Sequence, residues 1–583
     1  MARSESAAGS GRAQGVEGQG REGQAFESWG HLPRDQVLGR LGYAVKRPLF
    51  ALPFYGLSLS SQGPTRLVFA PNDPWPGNAE AGAAMIRGQF ALVGKTIETP
   101  RPLWRPLGSG RRWREALHGF AWLRDLRAAG GDAARRGARE LVAAWVEQNA
   151  DAWDPLAWGP AVTGRRVANW LGHFEFFAAS AAIEFRHRLL YEIARQTRHL
   201  NRALPAGLAG AEAVAALKGL ILAGACLPGG EAWRARGLEL LRRELPRQLR
   251  ADGGQAERSP ARHLEVLRDL IDVRAALSGA QGRTTGGGRV ETPAFLQAAI
   301  EQMAPVLRLL QHGDGGLALF NDSAEGEGLQ VDMVLERAGR RGRPLMSAPQ
   351  SGFQRLQAGR TLVLVDAGAP PGPGLDLGAH AGTLSLEVSV GRERLVVNCG
   401  AHPSDPSWRK AQRSSAAHST LVLDDVNSSE LARDGTLRRR PQTVMCRREE
   451  AEGSVWLEAS HDGYRRRFGQ IHRRRLFLAA GGDDLRGEDC LGGRGGERFA
   501  VRFHLHPEVQ ANLAQGGTTV LLRLPKGGGW RLRAQGAQVS LEDSVYLGLA
   551  GEPQRSQQIV LSGSIAGPKT LVKWALKRES KGR

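Results

Sequence analysis

The sequence predicts a multidomain chain in which an all-α half is followed by an all-β half. From about residue 29 to residue 345, apolar residues recur at three- and four-residue steps, the spacing of helices that bury one face. After about Ser347, apolar residues alternate with polar ones, the pattern of half-buried strands. We therefore expect a flexible tail over 1–28, a helical domain over 29–345 and a β domain over 346–583.

The helical half is predicted to hold at least five helices in succession. Its apolar runs are 113–126, 141–146, 167–177, 238–245 and 264–271. Clusters of Gly, Pro and Asp separate these runs and mark turns, as Gly130-Gly131 does. Helices that follow one another without strands between them indicate an array of packed helical hairpins.

The β half is predicted to hold many short strands. In Thr383–Val390 every second residue is apolar, and His380 shares the parity of Leu384 and Leu386, so we expect it to face the packed side. Further strands are predicted at 361–365, 394–397, 419–423, 455–459, 475–479, 499–504 and 519–522. Many short strands with turns between them predict an antiparallel sandwich or barrel.

The charge balance favours an anionic partner. Lys and Arg number 79 against 59 Asp and Glu, which leaves a net charge of +20. Nucleic acid, anionic lipid and acidic polysaccharide all fit such a surplus, and so does a compositional bias without function, because basic and acidic residues are interspersed. With only five tyrosines and no RNA-recognition motif, a nucleic-acid partner is not expected.

Several classes of protein are excluded by missing motifs. The sequence has no phosphate-binding loop, no HExxH and no GxSxG motif, and its four cysteines form no CxxC pair. No apolar stretch is long enough to span a membrane. The N-terminal residues lack the apolar core of a signal peptide, so the sequence predicts a cytoplasmic location.

Two groups of residues in the β half could carry chemistry. His380 and His418 come from different predicted strands, and with Asn398 or Cys399 they could hold a structural, zinc-like divalent metal. Alternatively they are strand-end histidines bonded to the backbone. The segment His461-Asp-Gly-Tyr464, with His472 nearby, could supply a base and an acid, or it could be an ordinary turn.

Two segments of the helical half are also candidates. Ser259 and Pro260 predict the start of a helix, with Glu257 and His263 crowded around it. Arg165 and Arg166 precede Asn169 in another helical segment and could bind a carboxylate through two hydrogen bonds, although such arginines are more often solvated or paired with an acid.

Eight segments resemble the heparinase II/III family of bacterial polysaccharide lyases. In the helical half they are 113–126 (WREALHGFAWLRDL), 164–171 (GRRVANWL), 252–260 (DGGQAERSP) and 315–321 (GGLALFN). In the β half they are 379–388 (AHAGTLSLEV), 396–400 (VVNCG), 417–424 (AHSTLVLD) and 461–464 (HDGY). The segments follow the order of the family over most of the chain.

The resemblance implies an incomplete (α/α) toroid followed by an antiparallel β-sandwich, with the active site in the cleft between them. It implies β-elimination on a uronic-acid polysaccharide. The enzyme neutralises the uronate carboxylate, removes the C5 proton with a Tyr or His, and protonates the leaving oxygen. The resemblance also implies a metal in the sandwich of some members and a location in the periplasm or cell envelope.

The chain departs from the family pattern at catalytic positions. Gly378 stands where the first His of the family's His-x-His-x-Asp pattern is expected, and His380 takes the second place. Arg262 stands where the catalytic Tyr is expected. His418 matches a later metal-site His, and Asn398 sits where an Asp ligand is usual.

Two hypotheses follow. The first is a lyase for an acidic polysaccharide, whose candidate side chains should converge on one cleft. Its catalytic candidates are His263, Tyr464 and His472, and its substrate-binding candidates are Arg166, Asn169, Arg262 and Glu257. The second is a catalytically impaired polysaccharide-binding or envelope-assembly protein on the same scaffold, with no acid–base pair facing the cleft.

Overall fold

The computed structural model describes residues 32–99, 104–280, 291–326, 328–339, 342–549 and 553–579. The tail predicted over 1–28 lies outside the described residues. Within them, no helix is long and apolar enough to cross a membrane.

The first part of the chain is helical. Its helices are α1 (Arg34–Phe50), α2 (Pro53–Leu59), α3 (Ala79–Ile86), α4 (Arg111–Gly119), α5 (Leu123–Ala129), α6 (Gly131–Asn149), α7 (Pro160–Gly172), α8 (Phe174–Phe177), α9 (Ile183–Ala203), α10 (Gly210–Cys226), α11 (Glu231–Gln248), α12 (Pro260–Gly279), α13 (Ala294–Leu309) and α14 (Gly328–Arg337). A hairpin of β1 (Gln89–Leu92) and β2 (Lys95–Glu98) lies before the predicted run of helices, and no named strand lies within the described residues of that run, from 113 to 271.

The central helix of this domain is α10, which is buried over almost its whole length and packs against α7, α11 and α12. Its residues are mostly Ala, Gly and Leu, and the small side chains of Ala and Gly allow close approach. A Cβ on Gly164 of α7 would lie 2.6 Å from the carbonyl oxygen of Ala215 in α10, closer than real Cβ contacts. The two backbones therefore meet at a glycine, and α10 forms the inner wall on which the other helices stack.

The apolar run over 113–126 forms two helices where the sequence predicts one. Phe120 has a φ of 60°, in the left-handed region, and ends α4. Its ring is fully buried and stacks on Trp104 and Trp122. Burial of the ring in this aromatic cluster stabilises a backbone conformation that costs free energy for a non-glycine residue.

The second part of the chain is a β-sandwich with two short helices, α15 (Pro406–Gln412) and α16 (Arg465–Phe468). Its strands are β3 (Ser347–Ala348), β4 (Phe353–Ala358), β5 (Thr361–Asp366), β6 (Leu386–Val390), β7 (Glu393–Val397), β8 (Leu421–Leu423), β9 (Glu430–Leu431), β10 (Leu437–Arg439), β11 (Val444–Ala451), β12 (Ser454–His461), β13 (Ile471–Leu478), β14 (Asp484–Gly492), β15 (Arg498–Leu505), β16 (Gln510–Ala514), β17 (Thr519–Arg523), β18 (Gly529–Gln535), β19 (Gln538–Tyr546), β20 (Gln554–Ser564) and β21 (Lys569–Arg578).

Two antiparallel sheets make up the sandwich. One has the order β11-β12-β13-β14-β21-β18-β17-β16, and the other has the order β19-β20-β15-β7-β6-β5-β4-β3, with β8 paired to β15. Alternating residues such as those of β12 and β13 point into a shared apolar core between the sheets. The predicted order of an all-α part followed by an antiparallel β-sandwich is confirmed.

The loop between α11 and α12 braces the two domains. The Ser351 N–H donates to Asp252 Oδ2 at 2.7 Å, and Arg258 Nε donates to the Ser351 carbonyl at 2.7 Å. The Arg258 guanidinium also pairs with Asp366 of β5, and both side chains are buried. These contacts fix the helical domain against the sandwich, so that residues from both can line one cleft.

Candidate functional site

A cleft of about 440 Å³ lies where the helical domain meets the sandwich loop at Ala401 and Pro403. Helices α4, α7, α10 and α12 supply most of its walls. Its charged lining residues are Arg112, Glu115, Arg124, Arg165, Glu212, Lys218, Arg262, Glu265, Arg268, Asp269 and Asp322. Seven alanines occupy much of the remaining surface and leave room between the charges.

A network of ion pairs crosses the floor of the cleft. Arg165 of α7 makes two parallel hydrogen bonds to Glu212 of α10, at 2.9 and 2.8 Å, and a third to Glu265 of α12 at 3.1 Å. Arg262 donates to the other oxygen of Glu265 at 2.6 Å. The network therefore ties three helices together through bidentate, charge-assisted hydrogen bonds.

The carboxylates of this network are held in their ionised form. Burial alone would raise the pKa of Glu265, but the charges of Arg262 and Arg165 outweigh it and hold that pKa well below the usual range. The pKa of Glu212 is lowered in the same way, mainly by Arg165. A carboxylate with such a low pKa takes up protons poorly near neutral pH, so neither is a good general base.

Asp322 links the cleft to the sandwich. Its carboxylate accepts from Arg112 of the helical domain at 3.1 Å and from Arg409 of α15 at 2.6 and 2.9 Å. Burial raises the pKa of Asp322, yet the two arginines outweigh that effect and hold the pKa well below its usual range. One buried carboxylate thus joins cations from both domains at the edge of the cleft.

Arg268 differs from its neighbours in the cleft. Its Nε is buried and, within the residues that the structure describes, has no hydrogen-bond partner. Lys218, by contrast, lies between Asp269, at 2.8 Å, and Asp272. Because that Nε is enclosed by protein, a ligand in the cleft would meet the terminal nitrogens of the half-buried Arg268 side chain.

Two of the predicted substrate-binding residues line the cleft. Asn169 donates from Nδ2 to the Gly119 carbonyl at 2.8 Å, which fixes the amide at the cleft wall. Arg262 lies in the first turn of α12, after Ser259, whose Oγ accepts from the Arg262 backbone N–H as the capping pattern predicts. Its guanidinium is engaged by Glu265.

The other two lie elsewhere. Arg166 is fully buried beneath Trp145, 4.0 Å from the ring centroid, and donates to the carbonyls of His118 and Ala157. Burial lowers its pKa to about 9. Glu257 accepts from the Ala211 backbone N–H at 2.9 Å and so holds the first turn of α10. Both act inside the protein, and neither lines the cleft.

None of the predicted catalytic side chains lines the cleft. His263 is buried with Nε2 bonded to the Met303 carbonyl at 2.9 Å, and burial lowers its pKa to about 4. The Tyr464 hydroxyl donates to the Leu421 carbonyl at 3.0 Å in the sandwich core. His472 bonds Asp489 at 2.8 Å, also in the sandwich. The expected convergence on one cleft is not observed, and we do not propose them as catalytic.

The predicted metal ligands are arranged as a chain of hydrogen bonds. The Asp322 backbone N–H donates to His380 Nε2 at 3.0 Å, so His380 Nδ1 carries the proton and donates to His418 Nε2 at 3.0 Å. His418 Nδ1 in turn donates to the Ser414 carbonyl at 2.8 Å. All four ring nitrogens are used, and no lone pair is left for a metal.

The remaining two candidate ligands are also engaged. Asn398 donates to Glu387 at 2.9 Å and accepts from the Ser419 backbone N–H at 2.9 Å. Burial raises the pKa of the Cys399 thiol to about 12, so it stays protonated, and its Sγ lies 3.5 Å from His504 Nδ1. Within the described residues, no group of three or more His, Cys, Asp or Glu side chains could hold a metal. This donor set does not fit the metal.

The strand that was predicted to carry His380 begins later than expected. β6 starts at Leu386, and Leu384 has a φ of 65°. The parity argument for His380 is therefore wrong, because 379–385 is not extended. His380 is buried through its bonds to Asp322 and His418, and the backbone N–H of His380 donates to Asn321.

The sequence contains a signal that separates Arg165 from Arg166, and the prediction, which selected Arg166, did not use it. Arg165 and Asn169 are four residues apart and share a helix face, whereas Arg166 shares a face with buried Trp170. The four-residue spacing thus places Arg165 on the side of α7 that carries Asn169 and places Arg166 on the buried side that carries Trp170. Glu212, Asp322 and Arg112 carry no such signal, because they reach the cleft from separate elements that only the folded chain brings together.

Comparison with known proteins shows two family matches. Residues 103–337 match the model described as heparinase II/III N-terminus, and residues 340–575 match heparinase II/III-like, C-terminal. A protein of Caulobacter vibrioides named FtsZ-localized protein C is 32% identical over 553 residues, which cover 89% of this chain and 92% of that protein.

Solved structures of lyases share the fold. A crystal structure of heparinase III superposes with a TM-score of 0.71 at 15% identity, covering 96% of this chain and 94% of that chain. A heparan sulfate lyase from Pedobacter heparinus superposes with a TM-score of 0.58 at 14% identity, covering 96% of this chain and 93% of that chain. At these identities the likeness establishes the toroid-and-sandwich fold.

Proposed function

The chain belongs to the heparinase II/III family, and from the chemistry of its cleft we propose that it binds an acidic polysaccharide there without cleaving it. The observation that carries this proposal is the cleft lining. Among the described residues that line it there is no tyrosine and no histidine. The second of the two hypotheses above therefore fits the geometry better than the lyase.

β-Elimination needs a base for the C5 proton and an acid for the leaving oxygen. Proton transfer is efficient when the pKa of the group lies near the working pH. Glu265, Glu212 and Asp322 have a pKa well below that, and the arginines opposite them remain protonated at any physiological pH. The loss of one positioned acid or base costs roughly 10²–10⁴ in rate, and none of these side chains has a pKa suited to either role.

Binding of an acidic polysaccharide needs only a cation and hydrogen-bonding groups, and the cleft has both. Arg268 offers a half-buried cation that lines the cleft, and the amide of Asn169, which lines the same cleft, offers an acceptor oxygen. The Arg165–Glu212–Glu265–Arg262 network holds the wall rigid, which lowers the entropy lost when a ligand is ordered. A uronate carboxylate on Arg268 is the contact that we propose for ligand recognition.

The test measures cleavage and binding on one panel of polymers. We expect no rise in ultraviolet absorbance from unsaturated uronate with heparan, chondroitin, alginate, hyaluronan or bacterial exopolysaccharide, and calorimetric binding to at least one. Arg268→Ala should weaken that binding about 10- to 100-fold, the usual effect of losing a hydrogen bond to a charged group. Arg250→Ala is the matched control, because Arg250 is exposed and does not line the cleft.

Two results would contradict the proposal. Absorbance that grows with time and enzyme concentration would show that the chain is a lyase with other catalytic groups. Equal affinity of the wild type and Arg268→Ala for the bound polymer would move the binding site away from this cleft.

The Caulobacter relative supports a second element of the function. Its name records that it is localized with FtsZ. We propose that this chain also works where FtsZ is located. A fluorescent fusion of this protein, imaged with labelled FtsZ in its own host, should show coincident bands, and a uniform distribution through dividing cells would refute this placement.

A further inference from the structure

The first two helices expose an unusual apolar surface. Six of the 17 exposed large apolar side chains in the described chain lie within residues 38–57. They are Leu38, Val45, Leu49, Leu52, Phe54 and Leu57, which we call the α1–α2 apolar face, and their exposed fractions run from 52% to 77%. Single exposed apolar residues are common on soluble proteins, but a cluster of this kind marks an interaction surface.

The spacing shows that the cluster is one face. The intervals between Leu38, Val45, Leu49 and Leu52 are seven, four and three residues. This spacing places the first three along one side of α1, with Leu52 just after the helix ends. Phe54 and Leu57 continue the surface on α2, three residues apart. The two helices therefore expose six large apolar side chains to solvent within 20 residues of chain.

The opposite side of the helix pair is already docked. Phe50 is buried against Trp153 and His199, at ring-centroid distances of 5.4 and 5.0 Å, and the Tyr55 hydroxyl bonds His199 Nδ1 at 2.8 Å. Gly39 meets the backbone of Gly207 so closely that a Cβ would lie 2.6 Å from its nitrogen. Other residues of α1 and α2 therefore hold the helix pair against the domain, and the α1–α2 apolar face lies on the side that faces solvent.

Within the segment that carries this face, the charged residues have one sign. Between residues 36 and 72 the sequence holds no Asp or Glu, and it holds Arg40, Lys46, Arg47 and Arg66. Asp35, just before the segment, is paired with Arg247. The exposed Asp151, which lines a pocket together with Leu52 and Leu57, is paired with Arg195. An apolar helix face flanked by basic residues fits a surface that is apolar inside and negative outside, which is the interface of an anionic membrane.

We propose that the α1–α2 apolar face docks this protein in the plane of an anionic lipid membrane. Its apolar side chains enter the boundary between head groups and acyl chains, and Arg47 meets the lipid phosphates. A second copy of the chain fits the face less well, because a two-fold contact would bring Arg47 and the other basic residues of this segment close to the same residues of the second copy. The proposal is independent of the polysaccharide site.

Vesicle flotation of the full chain tests the proposal. Wild-type protein should float with vesicles of phosphatidylglycerol and phosphatidylcholine and should float much less with phosphatidylcholine alone or at high salt. Leu49→Glu combined with Phe54→Glu should lower the bound fraction about tenfold or more, since both charges would have to enter the apolar layer. Arg47→Glu should weaken binding to the vesicles that contain phosphatidylglycerol and should leave binding to pure phosphatidylcholine vesicles unchanged.

Leu329→Glu is the matched control, because Leu329 is exposed on a helix to a similar extent, at 70%, and lies outside this face. It should float like the wild type. An unchanged melting temperature of Leu49→Glu/Phe54→Glu shows that the variant is folded.

Three results would overturn the proposal. One is a wild-type protein that does not float with either vesicle. Another is a double variant that floats as the wild type does. The third is a wild-type dimer that the double variant splits into monomers, which would assign the face to a second copy.

Discussion

The melting temperature of this protein is expected to fall steeply as the pH is lowered from about 7 to about 5. Six buried histidines have a pKa that burial lowers from 6.5 to about 4 or, for His504, to about 3. They are His118, His173, His199, His263, His418 and His504. Below the unfolded pKa, the unfolded chain binds protons that the folded chain does not, so stability falls as the pH falls.

The size of the effect follows from linkage. Each such histidine lowers the free energy of unfolding by up to about 1.4 kcal/mol for each pH unit between its two pKa values. A domain is stable by only about 5–15 kcal/mol, so several histidines acting together can unfold the protein within two pH units. Thermal unfolding followed by circular dichroism over this pH range measures the slope.

A pair of variants assigns the slope to the histidines. Glu257, Asp272 and Asp366 act in the opposite direction, because burial raises the pKa of each and favours proton uptake in the folded state. His263→Gln should reduce the pH dependence, because the buried titrating ring is gone. His187→Gln should not, because His187 is exposed. A flat melting temperature from pH 7 to pH 5 would contradict the prediction.

The order of the two domains was predictable because it depends on local periodicity. Three- and four-residue spacing gives helices and two-residue spacing gives strands, whatever the rest of the chain does. The break at Phe120 was not predictable, because the burial of its ring between Trp104 and Trp122 is a tertiary contact that overrides the helical pattern. The boundary predicted at 345–346 falls between the end of α14 at Arg337 and the start of β3 at Ser347.

The site was less predictable than the fold. Asn169 stands in a segment that resembles the family and Arg262 stands where the family's catalytic Tyr is expected, but reasoning from the sequence also pointed to His263 and to the His380–His418 pair. In this chain those histidines are satisfied by backbone carbonyls, a backbone N–H and each other. A histidine in a sequence does not reveal whether its ring nitrogens are already bonded, and that contact decides between a structural and a chemical role.

In the sandwich, His461 of the HDGY segment and the nearby His472 also have ring nitrogens that are already bonded. The Gly463 backbone N–H donates to His461 Nδ1 at 3.0 Å, and His461 Nε2 lies 3.3 Å from His472 Nδ1. His472 bonds Asp489, which also accepts from Arg474 at 2.8 and 3.1 Å and from Trp574 at 3.0 Å. Asp489 and Arg474 are each only 1% exposed to solvent. The segment therefore centres on a buried ion pair with every partner bonded.

Asp489→Ala is consequently expected to destabilise the protein by about 3–5 kcal/mol, because it leaves the Arg474 charge buried without its counter-ion. Chemical unfolding of the wild type and the variant at pH 7 measures the difference. Asp484→Ala, in the same strand β14, removes a carboxylate whose partners Arg486 and Lys577 have side chains 57% and 39% exposed, and it should cost less than about 1 kcal/mol. Equal losses for the two variants would mean that the buried pair contributes no more than a surface one, and the HDGY segment would then have to be explained by something other than this network.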